Sequence, residues 1–285
     1  MVDSTDSVLR AITNDGAFRV ITVRTTDTVQ AAIESQRGTG ATAEHFANLL
    51  TGAVLFRETM APQLRVQAIL RSATGPASLV ADSHPSGKIR GLIQLHDGST
   101  GVEIAPGAML RMMRSLPTGR LNQGVVQVPP AGGISEALMA YMSESEQIVS
   151  MIAVDCVMHE GRATAAGGYL VQLLPEVGRG PLAAMTERLK GFQQISGLLS
   201  EASFSPAWLV QKLLADMPFT TLEESDVRFE CWCSEVRVLS ALATLSRGEL
   251  MSLITDGNMV EMSCDYCGKD YQVGAEQLKG LLSRS

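Results

Sequence analysis

The sequence lacks the positive charge that a nucleic-acid partner requires. Lys and Arg are dispersed along the chain and the formal net charge is −7, so no broad basic surface is expected for a phosphate backbone. The start, residues 1–7, is acidic and polar, whereas a secretory signal is basic and then apolar. No uninterrupted apolar run approaches the length of a membrane span. We therefore expect a cytoplasmic protein with neither a nucleic-acid nor a membrane partner.

Signatures of nucleotide binding and of common hydrolases are also missing. The sequence has no G-x-x-x-x-G-K-[ST] phosphate loop, no G-x-G-x-x-G fingerprint and no G-x-S-x-G nucleophile elbow. The members of a Ser-His-Asp site need not be close in sequence, so an enzyme in the N-terminal part stays open as an alternative. An ordered pocket joining His and carboxylates would favour it. Since there is no catalytic residue to name, we predict that the protein is not an enzyme.

The first 176 residues mix strand and helix patterns. The chain has 285 residues and is 45% hydrophobic, enough for a substantial buried core. Strands and helices do not alternate regularly, which favours an α+β domain over residues 1–176 rather than a doubly wound sheet. The predicted elements are a β-hairpin over 8–23 with its turn at Asn14-Asp15-Gly16, helices over 26–35, 42–57 and 136–141, and strands within 64–94, 124–128, 147–158 and 165–174.

Residues 177–226 have a different character. A Gly- and Pro-containing break at residues 178–181 precedes apolar residues at helical spacing, and Pro181 suits the first turn of a helix. Ser205 followed by Pro206 predicts the capped start of another helix. We interpret residues 177–226 as a helical linker.

The last 59 residues, 227–285, contain four of the five cysteines in two close pairs. Cysteines stay reduced in the cytosol, so such a cluster indicates metal binding or redox sensing rather than a disulfide framework. Four soft thiolates in two pairs are what tetrahedral zinc selects, and they close its coordination shell, which disfavours catalysis by the metal. We predict a small zinc-binding domain that holds one Zn²⁺ per chain through Cys231, Cys233, Cys264 and Cys267.

The 30 residues between the two pairs predict a helical insert. Ser246 and Glu249 have the spacing of a capping box, and Asp256-Gly257 ends the helix that follows. Gly268, directly after the second pair, suits a tight backbone turn around a metal. We therefore expect the two cysteine pairs to be joined by helices that reverse the direction of the chain, so that the pairs can meet.

A closed thiolate site can still respond to oxidants, because the thiolate is the oxidisable form of cysteine. With Zn–S bonds of ~2.3 Å in a tetrahedron, the sulfurs should lie on the order of 3.8 Å apart, so disulfides can form with little movement and eject the metal. A 59-residue region has little core of its own, and losing the metal should unfold it. This would expose the apolar faces of the 177–226 helices and what they cover. The alternative is a constitutive zinc module.

These motifs resemble the redox-regulated heat shock protein 33 chaperones, and the likeness covers nearly the whole chain. The cysteine pairs stand in the same order at the C-terminal end, and several other segments match. They are Asp226-Val-Arg-Phe-Glu-Cys231, Leu79-Val-Ala-Asp82 with Gly87-Lys-Ile-Arg-Gly91, and Ala165-Ala-Gly-Gly-Tyr-Leu-Val-Gln-Leu-Leu-Pro175, where the core domain of the family ends.

The resemblance implies an ATP-independent holdase that is inactive while reduced and zinc-bound, and is activated by oxidants together with unfolding conditions. In the family, neighbouring cysteines pair on oxidation, which here implies the disulfides Cys231–Cys233 and Cys264–Cys267. It further implies a linker that loses structure. The active form would bind unfolding proteins, often as a homodimer, before their release to the ATP-dependent Hsp70 system.

The main alternative is a zinc-ribbon interaction or regulatory module. The last 59 residues contain six Lys and Arg against eight Asp and Glu, a formal charge of −2 that argues against a nucleic-acid surface. Other side chains are interpreted as structural. These are Cys156, expected to pack in the core as a small hydrophobe; His45, His84, His96 and His159, which lack metal-ligand spacing; and Met109, Met112 and Met113, whose helical spacing suggests a core face, with adaptable client contacts as the alternative.

Overall fold

The computed structural model describes residues 5–96, 98–99, 101–116, 120–130, 132–174 and 180–282. The chain divides into two compact units, with the boundary between Glu230 and Cys231. Both units combine helices and strands, which confirms the α+β prediction. Among the described residues, no helix is both long enough and apolar enough to cross a membrane.

The first unit is built on two sheets. Its elements in chain order are β1 (Ser7–Thr13), β2 (Phe18–Arg24), α1 (Thr26–Gln36), α2 (Gly40–Glu58), β3 (Val66–Arg71), β4 (Ser78–Ser83), β5 (Lys88–Gln94), β6 (Met109–Ser115), β7 (Leu121–Gln127), α3 (Ile134–Glu144), β8 (Ser150–His159), β9 (Arg162–Leu173), α4 (Gly180–Leu189) with a short 3-10 turn after it, α5 (Ser196–Leu199), α6 (Pro206–Leu214), β10 (Phe219–Asp226) and β11 (Arg228–Phe229). A five-stranded antiparallel sheet has the order β10-β1-β2-β9-β8. A six-stranded sheet has the order β11-β5-β4-β3-β6-β7, in which β11 runs parallel to β5.

The opening hairpin, the helices and the strands of residues 64–94 in the N-terminal part agree with the predictions from sequence patterns. The opening hairpin forms as expected, and Gly16 in its turn has a φ of 69°, a left-handed conformation that glycine adopts without steric cost. The three predicted helices, over 26–35, 42–57 and 136–141, are α1, α2 and α3. The predicted strands of residues 64–94 form β3, β4 and β5, which pair as successive antiparallel neighbours.

Helix α2 is the centre of the larger core. In the sequence, one apolar stripe at helical spacing is evident in this helix: Phe46, Leu49, Leu50, Val54 and Leu55. The helix packs against strands of both sheets, and Ala47 and Phe56 are buried as well as that stripe. A helix that is apolar all round belongs inside a protein. The sequence pattern of one apolar stripe therefore understated how deeply this helix is buried.

A second apolar cluster lies on the other face of the five-stranded sheet. Helices α4 to α6 cover this face, and their buried residues pack against sheet residues such as Phe18, Val20 and Tyr169. The side chain of Ser205 accepts a hydrogen bond from the backbone N–H of Trp208, which confirms the predicted cap at the start of α6. The helices of the linker thus owe their position to apolar burial against the core sheet.

The last part of the linker is a strand, where the sequence interpretation had a helical linker up to residue 226. Strand β10 pairs along the edge of β1, from Ser7 opposite Asp226 to Thr13 opposite Phe219. The segment begins Phe219-Thr220-Thr221, residue types that favour strands. Because the pairing partner lies more than 200 residues away, local sequence spacing does not identify it.

The three methionines at helical spacing lie on strand β6 rather than on a helix. Met112 is 1% exposed and belongs to the larger core, whereas Met109 is 37% exposed. In a strand alternate residues face opposite sides, so Met109 and Met112 cannot share one face. The prediction of a core face is therefore correct for Met112 and wrong for Met109.

Residues 227–230 belong to the first unit, although the sequence predicts that the zinc-binding region starts at 227. Val227 is buried in the larger core, and its backbone N–H donates to the Asp6 carbonyl at 3.0 Å. Arg228 and Glu230 donate backbone hydrogen bonds to the carbonyls of Gly87 and Ile89, both at 3.0 Å. The chain is thus attached to β5 up to the residue before Cys231.

The second unit is small. Its elements are α7 (Glu235–Leu242), α8 (Arg247–Thr255), β12 (Val260–Ser263), β13 (Asp270–Val273) and α9 (Ala275–Leu282). Helix α8 begins with the predicted capping box, in which Ser246 and Glu249 satisfy each other's backbone N–H groups. Strands β12 and β13 form an antiparallel hairpin. The cluster at the centre of this unit has four buried side chains among the described residues: Leu242, Leu250, Val273 and Leu278.

Candidate metal centre

The first cysteine pair lies on an irregular segment directly before helix α7. Cys231 and Cys233 precede Ser234, whose side chain accepts a hydrogen bond from the backbone N–H of Arg237 and so caps the helix. A Ser cap fixes the point at which the chain enters a helix. The cap therefore positions Cys233, the residue immediately before it.

The second pair occupies the turn between β12 and β13. The backbone N–H groups of Cys267 and Gly268 both donate to the carbonyl of Cys264, at 3.2 and 2.7 Å, and the Cys264 N–H donates to the Lys269 carbonyl at 2.9 Å. Gly268 has a φ of 67°, which agrees with the tight turn expected there. The turn directs both cysteines to the same side of the hairpin end.

The four sulfur atoms converge. The Sγ atoms of Cys231 and Cys264 are 3.8 Å apart, those of Cys233 and Cys267 are 3.5 Å apart, and all four lie within 4.8 Å of one another. The separation expected for thiolates around a tetrahedral zinc is on the order of 3.8 Å. The donor set is entirely sulfur, which is the chemistry that zinc and other soft metals select. The four cysteines could therefore bind a metal ion.

A tyrosine adds a contact that the sequence analysis did not identify. Tyr271, on β13, donates its hydroxyl hydrogen bond to the Cys233 Sγ at 3.0 Å. Its only sequence signal is its position four residues after Cys267, on the strand that follows the turn. Outer hydrogen bonds of this kind orient metal ligands and tune their basicity.

The electrostatics of the cluster favour a bound cation. Burial raises the pKa of the Cys233 thiol, but hydrogen bonds from Tyr271 and the other cysteines outweigh burial and lower that pKa to about 7. Burial raises the pKa of Cys267 to about 12, and it also raises the pKa of Cys264. Four thiolates this close repel one another, so without a cation they cannot all ionise near neutral pH. A divalent cation removes that obstacle.

The fifth cysteine is separate from this group. Cys156 lies on β8, is 4% exposed and belongs to the larger core, which confirms its predicted packing role. Burial, with nearby Asp155 and Glu44, raises its pKa to about 12, and such a thiol is unreactive at neutral pH. The four histidines are also outside the metal-competent group found among the described residues.

Fold and site together define a class of protein: a mixed α+β unit followed by a small unit with a four-thiol centre. The model of the family described as "Hsp33 protein" matches residues 6–274. The chain therefore belongs to the Hsp33 family, a family of chaperones, which implies that it binds unfolded client proteins.

Individual relatives agree with this assignment. The chain is 30% identical to the 33 kDa chaperonin of Syntrophotalea carbinolica over 98% of this chain and 99% of that protein. It is 29% identical to the 33 kDa chaperonin of Streptococcus pyogenes serotype M49, with coverage of 98% and 99%. The crystal structure of the heat shock protein 33 homolog from Thermotoga maritima superposes with a TM-score of 0.81 at 23% identity, covering 98% of each chain. This last likeness shows a shared fold.

Proposed function

We propose that this chain is a redox-regulated, ATP-independent holdase of the cytoplasm. In this proposal residues 1–176 form the client-binding and dimerisation core, 177–226 the linker, and 231–285 the redox switch, which residues 227–230 join to the core. The observation that carries the proposal is that helices α4 to α6 cover an apolar face of the core sheet. The same stretch of chain leads through β10 and β11 to Cys231. Order in the linker and order at the thiol centre are thus linked along one continuous segment.

The all-sulfur donor set supports zinc as the metal, held by Cys231, Cys233, Cys264 and Cys267. When bound, zinc would keep each sulfur as a thiolate and supply much of the folding free energy of a unit whose own core is small. Tyr271 would hold the Cys233 sulfur in place through its hydroxyl group.

Activation would begin when hydrogen peroxide oxidises the four cysteine sulfurs to two disulfides. For each disulfide, two cysteine thiolates would join and give two electrons to one hydrogen peroxide, which takes up two protons from solvent and yields two water molecules. We assign the pairs Cys231–Cys233 and Cys264–Cys267 by family resemblance. The close contacts of 3.8 and 3.5 Å join sulfurs across the two pairs, so distance alone does not select the pairing. Peptide mapping of the oxidised chain identifies it.

Loss of the four ligands would unfold the small unit, since its cluster has four buried side chains among the described residues. In this proposal the loss of order would spread from Cys231 back along the chain through residues 227–230 and β10, and opening of α4 to α6 would expose the sheet face around Phe18, Val20 and Tyr169. An apolar surface of this kind binds unfolding proteins. The homodimer and the transfer of clients to an Hsp70-type system complete the proposal on the basis of family resemblance.

The test follows zinc, thiols and holdase activity in one sample. Reduced protein should hold one zinc per chain and leave a thermally unfolding client to aggregate. Peroxide with mild heating should release the zinc, remove four thiols and suppress aggregation. Zinc release and disulfide formation without suppression would refute the holdase. Zinc retained under oxidation would favour the constitutive interaction module instead.

A further inference from the structure

Strand β10 is held to the core sheet mainly by backbone pairing with β1. Six of its eight side chains are exposed and none is buried. Leu222 has no partner residue on β1, because the register shifts there, and it is 57% exposed. By contrast, β1 is largely buried, with Leu9 at 3% and Ala11 at 0% exposure. Phe219, at the start of the strand, is half-buried and packs against the linker–sheet cluster. From Thr220 to Asp226 the strand covers the edge without an apolar anchor.

The side chains of β10 make polar contacts at or near the surface, and the one between Ser7 and Glu224 is partly buried. Glu224 accepts a hydrogen bond from the Ser7 hydroxyl at 2.8 Å, and Glu223 forms an ion pair with Arg10. Arg10 does not depend on that partner, since its Nη1 also lies 3.5 Å from the Glu58 Oε2 inside the unit. When β10 leaves, no buried charge loses its only counter-ion.

The backbone N–H and C=O groups of β1 point alternately towards β2 and towards β10, and this alternation identifies the groups that β10 covers. The Asp6 carbonyl accepts from Val227, and the Asn14 N–H donates to the Pro218 carbonyl, so the groups of residues 6 and 14 point towards the β10 side. Backbone groups alternate along a strand. Val8, Arg10 and Ile12 therefore direct their N–H and C=O groups to β10.

We propose that this edge of β1, once β10 has left it, is a docking site for an extended segment of an unfolding client, which pairs with it as an added strand. This proposal rests on the proposed holdase function and names the surface it uses. Main-chain pairing is independent of the client sequence, which suits a chaperone with varied clients. Leu9 and Ala11, on the face that the linker helices cover, would receive alternate apolar side chains of the client.

Amide hydrogen exchange on the full chain tests the edge directly. In reduced protein the amides of Val8, Arg10 and Ile12 should be protected, and after oxidation with mild heating they should exchange. Binding of thermally unfolding luciferase should slow them again by about tenfold, which corresponds to ~1.4 kcal/mol. The amides of Leu9 and Ala11, which face β2, serve as internal controls and should change far less.

The outcomes separate this proposal from the holdase itself. Suppressed aggregation with fast exchange at Val8, Arg10 and Ile12 would overturn the edge and leave the holdase intact. No suppression would overturn both. Protection that appears without client and grows with protein concentration would identify β10 of a second copy as the occupant, and would also overturn the client proposal.

A synthetic peptide with the sequence of residues 219–226 gives a backbone-specific second test. Its register places the amides of Thr220, Glu223 and Ser225 towards β1. The unmodified peptide should compete with client for the oxidised chain, and N-methylation of these three amides should abolish competition. N-methylation of Thr221 and Glu224, which face away, is the matched control and should leave competition unchanged. Equal competition by both methylated peptides would refute pairing at the edge.

Discussion

The two compact units bury apolar side chains on very different scales. In the described part of the chain, the first unit holds clusters of 40 and 18 buried residues, whereas the second holds a cluster of four. A region that buries so little needs another source of folding free energy. In the proposed function that source is a zinc ion held by the four thiolates, so one chemical event at these sulfurs would decide whether the unit folds. The first unit has no such dependence.

The largest effect is expected from removing one thiol ligand, because this tests whether folding of the second unit depends on the metal. We expect Cys267→Ser to lose zinc and to unfold residues 231–282, because a structural zinc site supplies about 10–16 kcal/mol. Zinc content and amide exchange measure the result. Cys156→Ala is the matched control, since that cysteine packs in the first unit and its loss should leave the zinc in place. Full zinc and full protection in Cys267→Ser would contradict the dependence.

Shortening a linker side chain should distinguish the role of the linker–sheet cluster from that of the larger core. Leu213 and Leu50 are both 0% exposed, but Leu213 packs in the linker–sheet cluster and Leu50 in the larger core. Replacing either by Ala should cost about 2–5 kcal/mol. We expect only Leu213→Ala to open the linker and suppress client aggregation without oxidant, with zinc retained. Equal activity of the two variants would show that general destabilisation is sufficient.

Substitutions at two glycines test the attachment of residues 226–230 to the first unit separately from the effect of backbone strain. Gly87 has a φ of 74°, and a Cβ there would lie 2.1 Å from the Asp226 carbonyl oxygen; Gly75 has a φ of 78° and open space around it. Both Ala variants share the left-handed strain, about 1 kcal/mol, and only Gly87→Ala adds the clash. We expect a lower oxidant threshold for activation in Gly87→Ala alone. Identical thresholds would exclude this contact from the regulation.

The smallest expected effect is a pH dependence of the first unit. Burial lowers the pKa of His45 in α2, although Glu44 opposes the shift. The unfolded state then takes up the proton first as the pH falls below about 6.5, so the unfolding free energy decreases. Urea unfolding should show a smaller loss between about pH 7.5 and 5.5 in His45→Gln than in the unmodified chain. An equal loss in the two proteins would contradict this role of His45.

Short-range signals determined much of this protein. The Asn14-Asp15-Gly16 turn, the Ser205 cap and the capping box of α8 each depend on residues within four positions, and each forms as predicted. The cysteine cluster was also evident from spacing, because two close pairs of one soft ligand type have few other uses. Local chemistry was sufficient for these features.

The tertiary structure decided the features whose partners are distant in sequence. Strand β10 exists because the edge of β1 pairs with it, and β6 is a strand because β3 and β7 flank it, which outweighs the helical spacing of Met109 and Met112. The contact of Tyr271 with Cys233 spans 38 residues. The sequence alone determined which four residues form the centre. Only folding decided how close their sulfurs come and which strand conceals the edge of β1, because both depend on long-range packing.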